Sequence, residues 1–309
     1  MKRAAIILGI LSVATWAMAQ NNGTVAQPGG SANSQTGQEQ SKTAVAPSQT
    51  TPPAAKRPPQ AKTQPEFDAY KAAAAATDLA AMEKAADDFA AKFPDSELRV
   101  LLYRNAMHAY QNTNNAEKTE AMGRKVLAID PDDPDSLTTV AEVIAERTRD
   151  TDLDKDQRYS EGMKMAERAL TTVDTDIAVP PGTPQEKLDA YKSGIRSQAY
   201  STMGTIQYNQ NNFPAAQEYF QKAIDAFPSQ PYAPDLLRLA LSLDKQQKYE
   251  EALKACNRAV ELSQENSMIG NSARRERDRL QQLTGHATTP SPSPAQTQTP
   301  QPQNKPPQN

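Results

Sequence analysis

Between residues 65 and 284, apolar side chains recur at spacings of three and four, which places them along one stripe of an α-helix. The interruptions carry Pro, Asp and Asn, residues that stop one helix and cap the next. The pattern predicts helices over 66–76 and 78–92, 97–111 and 115–129, 134–148 and 156–173, 186–210 and 213–227, and 233–246 and 249–263. A last amphipathic helix is expected over 267–283, with Ile269, Ala273, Leu280 and Leu283 on one side and Arg274, Arg275, Arg277 and Arg279 toward water. No stretch in this region sustains two-residue alternation and none holds an Asn-Gly hairpin turn, so strands are not needed.

The helices come in pairs, and the pairs share a register. Counted from Ser197, Tyr200, Met203, Gly204, Gln207, Ala216, Phe220, Ala223 and Pro228 fall at places 4, 7, 8, 11, 20, 24, 27 and 32. Counted from Ala233, Leu236, Leu239, Ala240, Leu243, Ala252, Cys256 and Ala259 fall at the first seven of them. Counted from Val100, Tyr103, Ala106, Met107, Tyr110, Thr119, Gly123, Val126 and Pro131 do the same. Weaker copies lie around Met82, Ala86, Phe89 and Pro94, and from Leu137 to Ala169. Small residues in this register let paired helices approach, while bulky ones fill the space between neighbouring pairs. No pair buries its own apolar face, so several must stack.

On these residues the chain resembles the tetratricopeptide repeat family. The resemblance implies an all-α fold: a right-handed superhelix, or solenoid, of about five helix-turn-helix hairpins plus a C-terminal capping helix. It further implies a protein or peptide partner held against the first helices of the hairpins. The corresponding positions are Arg104, Asn105, His108 and Gln111 in the second hairpin and Glu142 in the third. Ser201, Thr205 and Tyr208 follow in the fourth, and Leu237, Arg238 and Leu241 in the fifth. Some members clamp a terminal carboxylate with basic and amide side chains over three consecutive hairpins. Here only Arg104 and Asn105 fit, because the next hairpin presents Thr138, Thr139 and Glu142. Leu237 and Leu241 are apolar where a solvated face would be polar, so either a partner or the helix after residue 264 is expected to cover them.

Composition changes the picture at the two ends. Residues 20–64 and 285–309 are rich in Ala, Gln, Thr, Pro and Ser, hold 13 of the 24 prolines and contain no Phe, Tyr or Trp. Such segments bury too little apolar surface to offset the entropy of ordering, and both are expected as disordered tails. Ahead of them, Lys2-Arg3, the apolar run Ala4–Trp16 and the small residues Ala17 and Ala19 read as a signal peptide cut after Ala19. The expectation is a periplasmic or secreted protein, with no integral span after cleavage and tails able to touch cell wall. The link 174–184, with Pro180-Pro181-Gly182, is a point where the array could divide.

Charge and chemistry narrow the function. Of 34 Lys and Arg the signal segment takes two, leaving 32 against 37 acidic groups, a balance that argues against nucleic acid. One Cys and two His leave no thiolate cage, zinc site or His-based triad, and no Gly-rich phosphate loop or nucleophile elbow occurs. No cofactor and no enzymatic activity are expected, and Cys256 reads as a packing residue. One run stands apart. Asp150, Asp152, Asp154, Asp156 and Glu161 occupy places 1, 3, 5, 7 and 12 of a calcium loop, but Lys155 replaces the turn glycine and Gln157 the apolar eighth residue. The alternative to a scaffold is therefore a calcium-regulated or hydrolytic protein using 150–161. The plainer reading of the same run is a solvated insertion that caps the following helix.

Overall fold

The computed structural model describes residues 56–285. The expected signal peptide over 1–19, most of the expected tether over 20–64 and the expected tail from 286 lie outside the described residues. Among the described residues there are eleven helices and no strand: α1 Gln64–Ala74, α2 Leu79–Lys92, α3 Arg99–Asn112, α4 Ala116–Ile129, α5 Pro134–Arg147, α6 Lys155–Thr172, α7 Gln185–Asn209, α8 Phe213–Ala226, α9 Ala233–Lys245, α10 Tyr249–Glu261 and α11 Met268–Leu283. None is long and apolar enough to cross a membrane.

Local chemistry sets the ends. Asp78, Asn115, Asp133 and Ser267 each accept a backbone N–H from the third residue on, at 3.0, 3.2, 2.8 and 3.1 Å. Pro65, Pro134, Pro214 and Pro234 sit in first turns, where a missing N–H costs nothing. Three hairpins turn the same way: Asn114, Asn211 and Gln247 take φ of 58°, 62° and 61°. The next residue's N–H then bonds a carbonyl five residues back, at 3.0, 2.9 and 3.0 Å, which closes the helix in a Schellman motif.

The chain forms two compact units, residues up to Ile206 and from Gln207 onward. In the first, α1 to α6 pack each against the next, and Phe89, Leu102, Tyr103, Met107, Met122 and Val126 make a continuous buried cluster. In the second, α8, α9, α10 and α11 enclose Phe220, Leu236, Leu239, Leu243, Cys256 and Leu280. The division falls inside α7 and not at the link 174–184. That link is tied to α7 by Arg196, which reaches both Asp174 oxygens at 2.7 Å, and by Val173 and Ile177 packing on Tyr191 and Ile195.

Two further differences from the sequence pattern are informative. Residues 56–63, expected in the tether, lie against the first unit, with Lys56 on Asp130 at 2.6 Å and Arg57 on Glu97. Leu283, expected on the apolar side of the closing helix, is its last residue and stays about half exposed (51%), whereas Ala273 and Leu280 are fully buried.

Candidate functional site

Arg104 and His108 stand four residues apart on α3, so both point from one face. The α4–α5 corner brings the sequence Asp133-Pro134-Asp135 against that face. Asp133 caps α5 through Oδ1 and accepts the Arg104 guanidinium on Oδ2. Asp135, two residues into the helix, accepts His108 Nε2 on Oδ2 at 2.7 Å. The positive end of the α5 dipole favours both carboxylates. All four groups are at most 8% exposed.

The pairing of His108 with Asp135 favours the charged form of each. The second ring nitrogen of His108, Nδ1, faces Gln111 Oε1 at 3.3 Å, so both nitrogens point at acceptors and the doubly protonated ring satisfies both. Burial opposes that charge, but Asp135 and Gln111 outweigh it, and the His108 pKa stands above the ordinary 6.5. Burial likewise opposes the charge on Asp135, and His108 overrides it, holding the carboxyl below its usual range. Tyr191 of α7 lies beside them; burial and the Asp135 charge push its hydroxyl well above 10. A recess lined by Arg104, Asp133, Tyr191, Leu188 and the link from Asp176 to Pro180 holds about 20 Å³, room for one water. Arg104 Nε and Asp135 Oδ1 have no protein partner.

The structure therefore turns Arg104 and His108 inward, into paired charges, and leaves Asn105 of the same helix exposed and Gln111 half-buried. Glu142 of α5 is half-buried and accepts Gln198 Nε2 at 2.8 Å. On α7, Ser201 is buried and its carbonyl accepts the Thr205 hydroxyl at 2.9 Å. In the second unit Tyr208 packs on the core and stacks edge-on with Phe213 at 5.4 Å. Leu237 is a core residue, and Leu241 packs against the cluster that includes Ala273 and Leu280 of α11. Both leucines thus join the core of the second unit, to which α11 contributes Ala273 and Leu280. Arg238 remains half-exposed, 4.0 Å from Asp235. What the sequence reading missed is Asp133, Asp135 and Tyr191. The signal was present in the paired carboxylates around a helix-starting proline.

The acidic run does not converge. Asp152 Oδ2 accepts the Arg149 N–H at 2.9 Å, Glu161 pairs with Arg124 at 2.7 Å, and Asp150, Asp154 and Asp156 are exposed. Among the described residues no group of three or more His, Cys, Asp or Glu is placed to hold a metal. Cys256 is fully buried, and burial pushes its thiol up to about 12, the state of an inert packing residue.

A family model described as tetratricopeptide repeat matches residues 197–230 and 236–266. Among solved structures, the chain is similar to PilW, a type IV pilus biogenesis factor, at 17% identity over 73% of this chain and 96% of that one, with a TM-score of 0.43. It is similar to MamA at 14% identity over 60% and 88%, TM-score 0.37. It is also similar to YrrB, described as having an unusual peptide-binding site, at 16% identity over 57% and 92%, TM-score 0.23. No curated protein sequence matches.

Proposed function

We propose that this chain, a tetratricopeptide repeat protein, is a non-enzymatic exported scaffold that holds a segment of a protein partner in the cell envelope. The observation that carries the reading is the stack of paired helices, which the chain builds without a catalytic grouping in its sequence. Its two tetratricopeptide repeats at 197–230 and 236–266 support it, because stacked hairpins offer extended surfaces and little else. The basic, apolar and small-residue sequence of Met1–Ala19 supports export.

Burial narrows the contact surface. Arg104, His108, Ser201 and Leu237 are buried and stabilise the fold, and Tyr208 and Leu241 pack on the core, so the first-helix positions left for a partner are Asn105, Gln111, Glu142 and Thr205 in the first unit and Arg238 in the second. The test is capture from an envelope extract on immobilised protein, comparing the natural chain with Asn105→Arg and Arg238→Glu. A specific partner should be retained by the first and released by at least one substitution. Retention indifferent to both, with the variants folded, would remove the first helices from the binding surface.

A further inference from the structure

The corners that join successive hairpins of the first unit are acidic: Asp95 and Glu97 lie between α2 and α3, Asp130, Asp132 and Asp133 between α4 and α5, and Asp174 and Asp176 after α6. Residues 56–62, Lys-Arg-Pro-Pro-Gln-Ala-Lys, run from the third of these corners back to the first. The Lys56 N–H donates to the Thr175 carbonyl at 3.3 Å, and its ammonium reaches Asp130 at 2.6 Å and Asp176 at 3.8 Å. Arg57 grips Glu97 with both guanidinium nitrogens, at 2.8 and 2.6 Å, a planar fork on a planar carboxylate. Lys62 reaches the Asp95 carbonyl at 2.8 Å. Pro58-Pro59 hold the segment extended, without internal backbone–backbone hydrogen bonds.

This seating is that of a ligand, and not that of a core element. Ala61 alone of the segment packs against the apolar cluster, while Arg57 and Glu97 are 63% and 41% exposed. Exposed ion pairs of this kind exchange readily. What recurs along the edge is carboxylate at corner spacing, which selects cations carried on an extended backbone.

We propose that this corner edge is a docking strip for an extended protein segment with adjacent Lys and Arg ahead of paired prolines. The chain's own residues 56–62 fill the strip in cis, and an incoming segment must displace them. The strip is apart from the first-helix positions named above, so its failure leaves that reading standing. An intramolecular occupant acts at an effective concentration on the order of millimolar, which weakens an external segment roughly tenfold where the segment alone binds with a Kd of about 0.1 mM.

The test uses the full chain, natural and as Lys56→Ala/Arg57→Ala, with a fluorescent peptide of residues 56–63 read by anisotropy. The doubly substituted chain, its own segment released, should bind the peptide about tenfold more tightly than the natural chain. Glu97→Gln/Asp130→Asn in the released background should abolish that binding, and a peptide with Glu in place of the Lys-Arg pair should not bind. Circular dichroism confirms that each variant is folded. Equal affinity for natural and released chains, absence of saturation at about millimolar protein, or indifference to the Glu97 and Asp130 substitutions would each overturn the proposal.

Discussion

Gly123→Ala is a test of how closely the hairpins nest. Gly123 lies on α4, and a Cβ there would sit 2.5 Å from Val140 Cγ2 on α5 and 3.1 Å from Met107 Sδ on α3. Carbon pairs are at rest near 3.5–4.0 Å, so the first contact is short by roughly 1 Å. Met107 can yield, having three flexible torsions. Val140 cannot: it is fully buried, and a β-branched residue in a helix has essentially one rotamer. Overpacking of this kind costs about 1–3 kcal/mol, against which alanine's better helix propensity returns about 1. The net expected loss is about 0–2 kcal/mol, seen in urea unfolding by circular dichroism as a lower midpoint with an unchanged slope. Gly162→Ala is the control. Its nearest contact is the terminal methyl of Ile206 at 3.1 Å, which can rotate aside, so the change should stay within about 0.5 kcal/mol of neutral. Adding Val140→Ala to Ala at 123 removes the clashing methyl, so the two substitutions should couple by about 1 kcal/mol or more. A stabilising Gly123→Ala, or strict additivity with Val140→Ala, would refute the close approach of α4 and α5.

Other outcomes follow from the buried charges and the turns. Arg104→Ala strands the Asp133 carboxylate in the interior and should cost about 3–5 kcal/mol by thermal melting, whereas Arg104→Met with Asp133→Asn, which removes the charge and keeps the cap on α5, should recover part of it. Because folded His108 keeps its proton above 6.5, its contribution is whole below about pH 6.5 and fades as pH rises through the folded value. The urea midpoint should therefore fall between pH 6 and 9, and His108→Gln should flatten that fall. Gln247 holds φ at 61°, where a side chain is strained and glycine is not, so Gln247→Gly should raise the stability of the second unit by about 0.5–1 kcal/mol.

The helices and their pairing were legible because apolar periodicity and capping are local properties of sequence. Asp78, Asn115 and Asp133 lie where the pattern breaks, and they cap the helices that follow. The charge network was not legible, since Arg104 and His108 occupy positions that solvent or a partner fills in the repeat pattern. Only the fold shows that Asp133 and Asp135, about thirty residues on, arrive opposite them. Leu237 and Leu241 posed an ambiguity that register could not resolve, because a covering helix and a covering partner demand the same apolar surface. Lys56 to Lys62 read as tether by composition, yet their cations find carboxylates that the corners place in a row. Composition reports the cost of ordering a segment and is blind to a surface that meets it.

The scaffold reading is tested most directly by a photo-reactive side chain placed at Asn105 on the exposed part of α3, and separately at Lys164 on the exposed part of α6, in protein expressed in the cells that make it. Light should join a discrete partner to the chain from position 105 and not from position 164. Equal products from both positions, or none from position 105 in a folded chain at natural abundance, would contradict a partner held on the first helices.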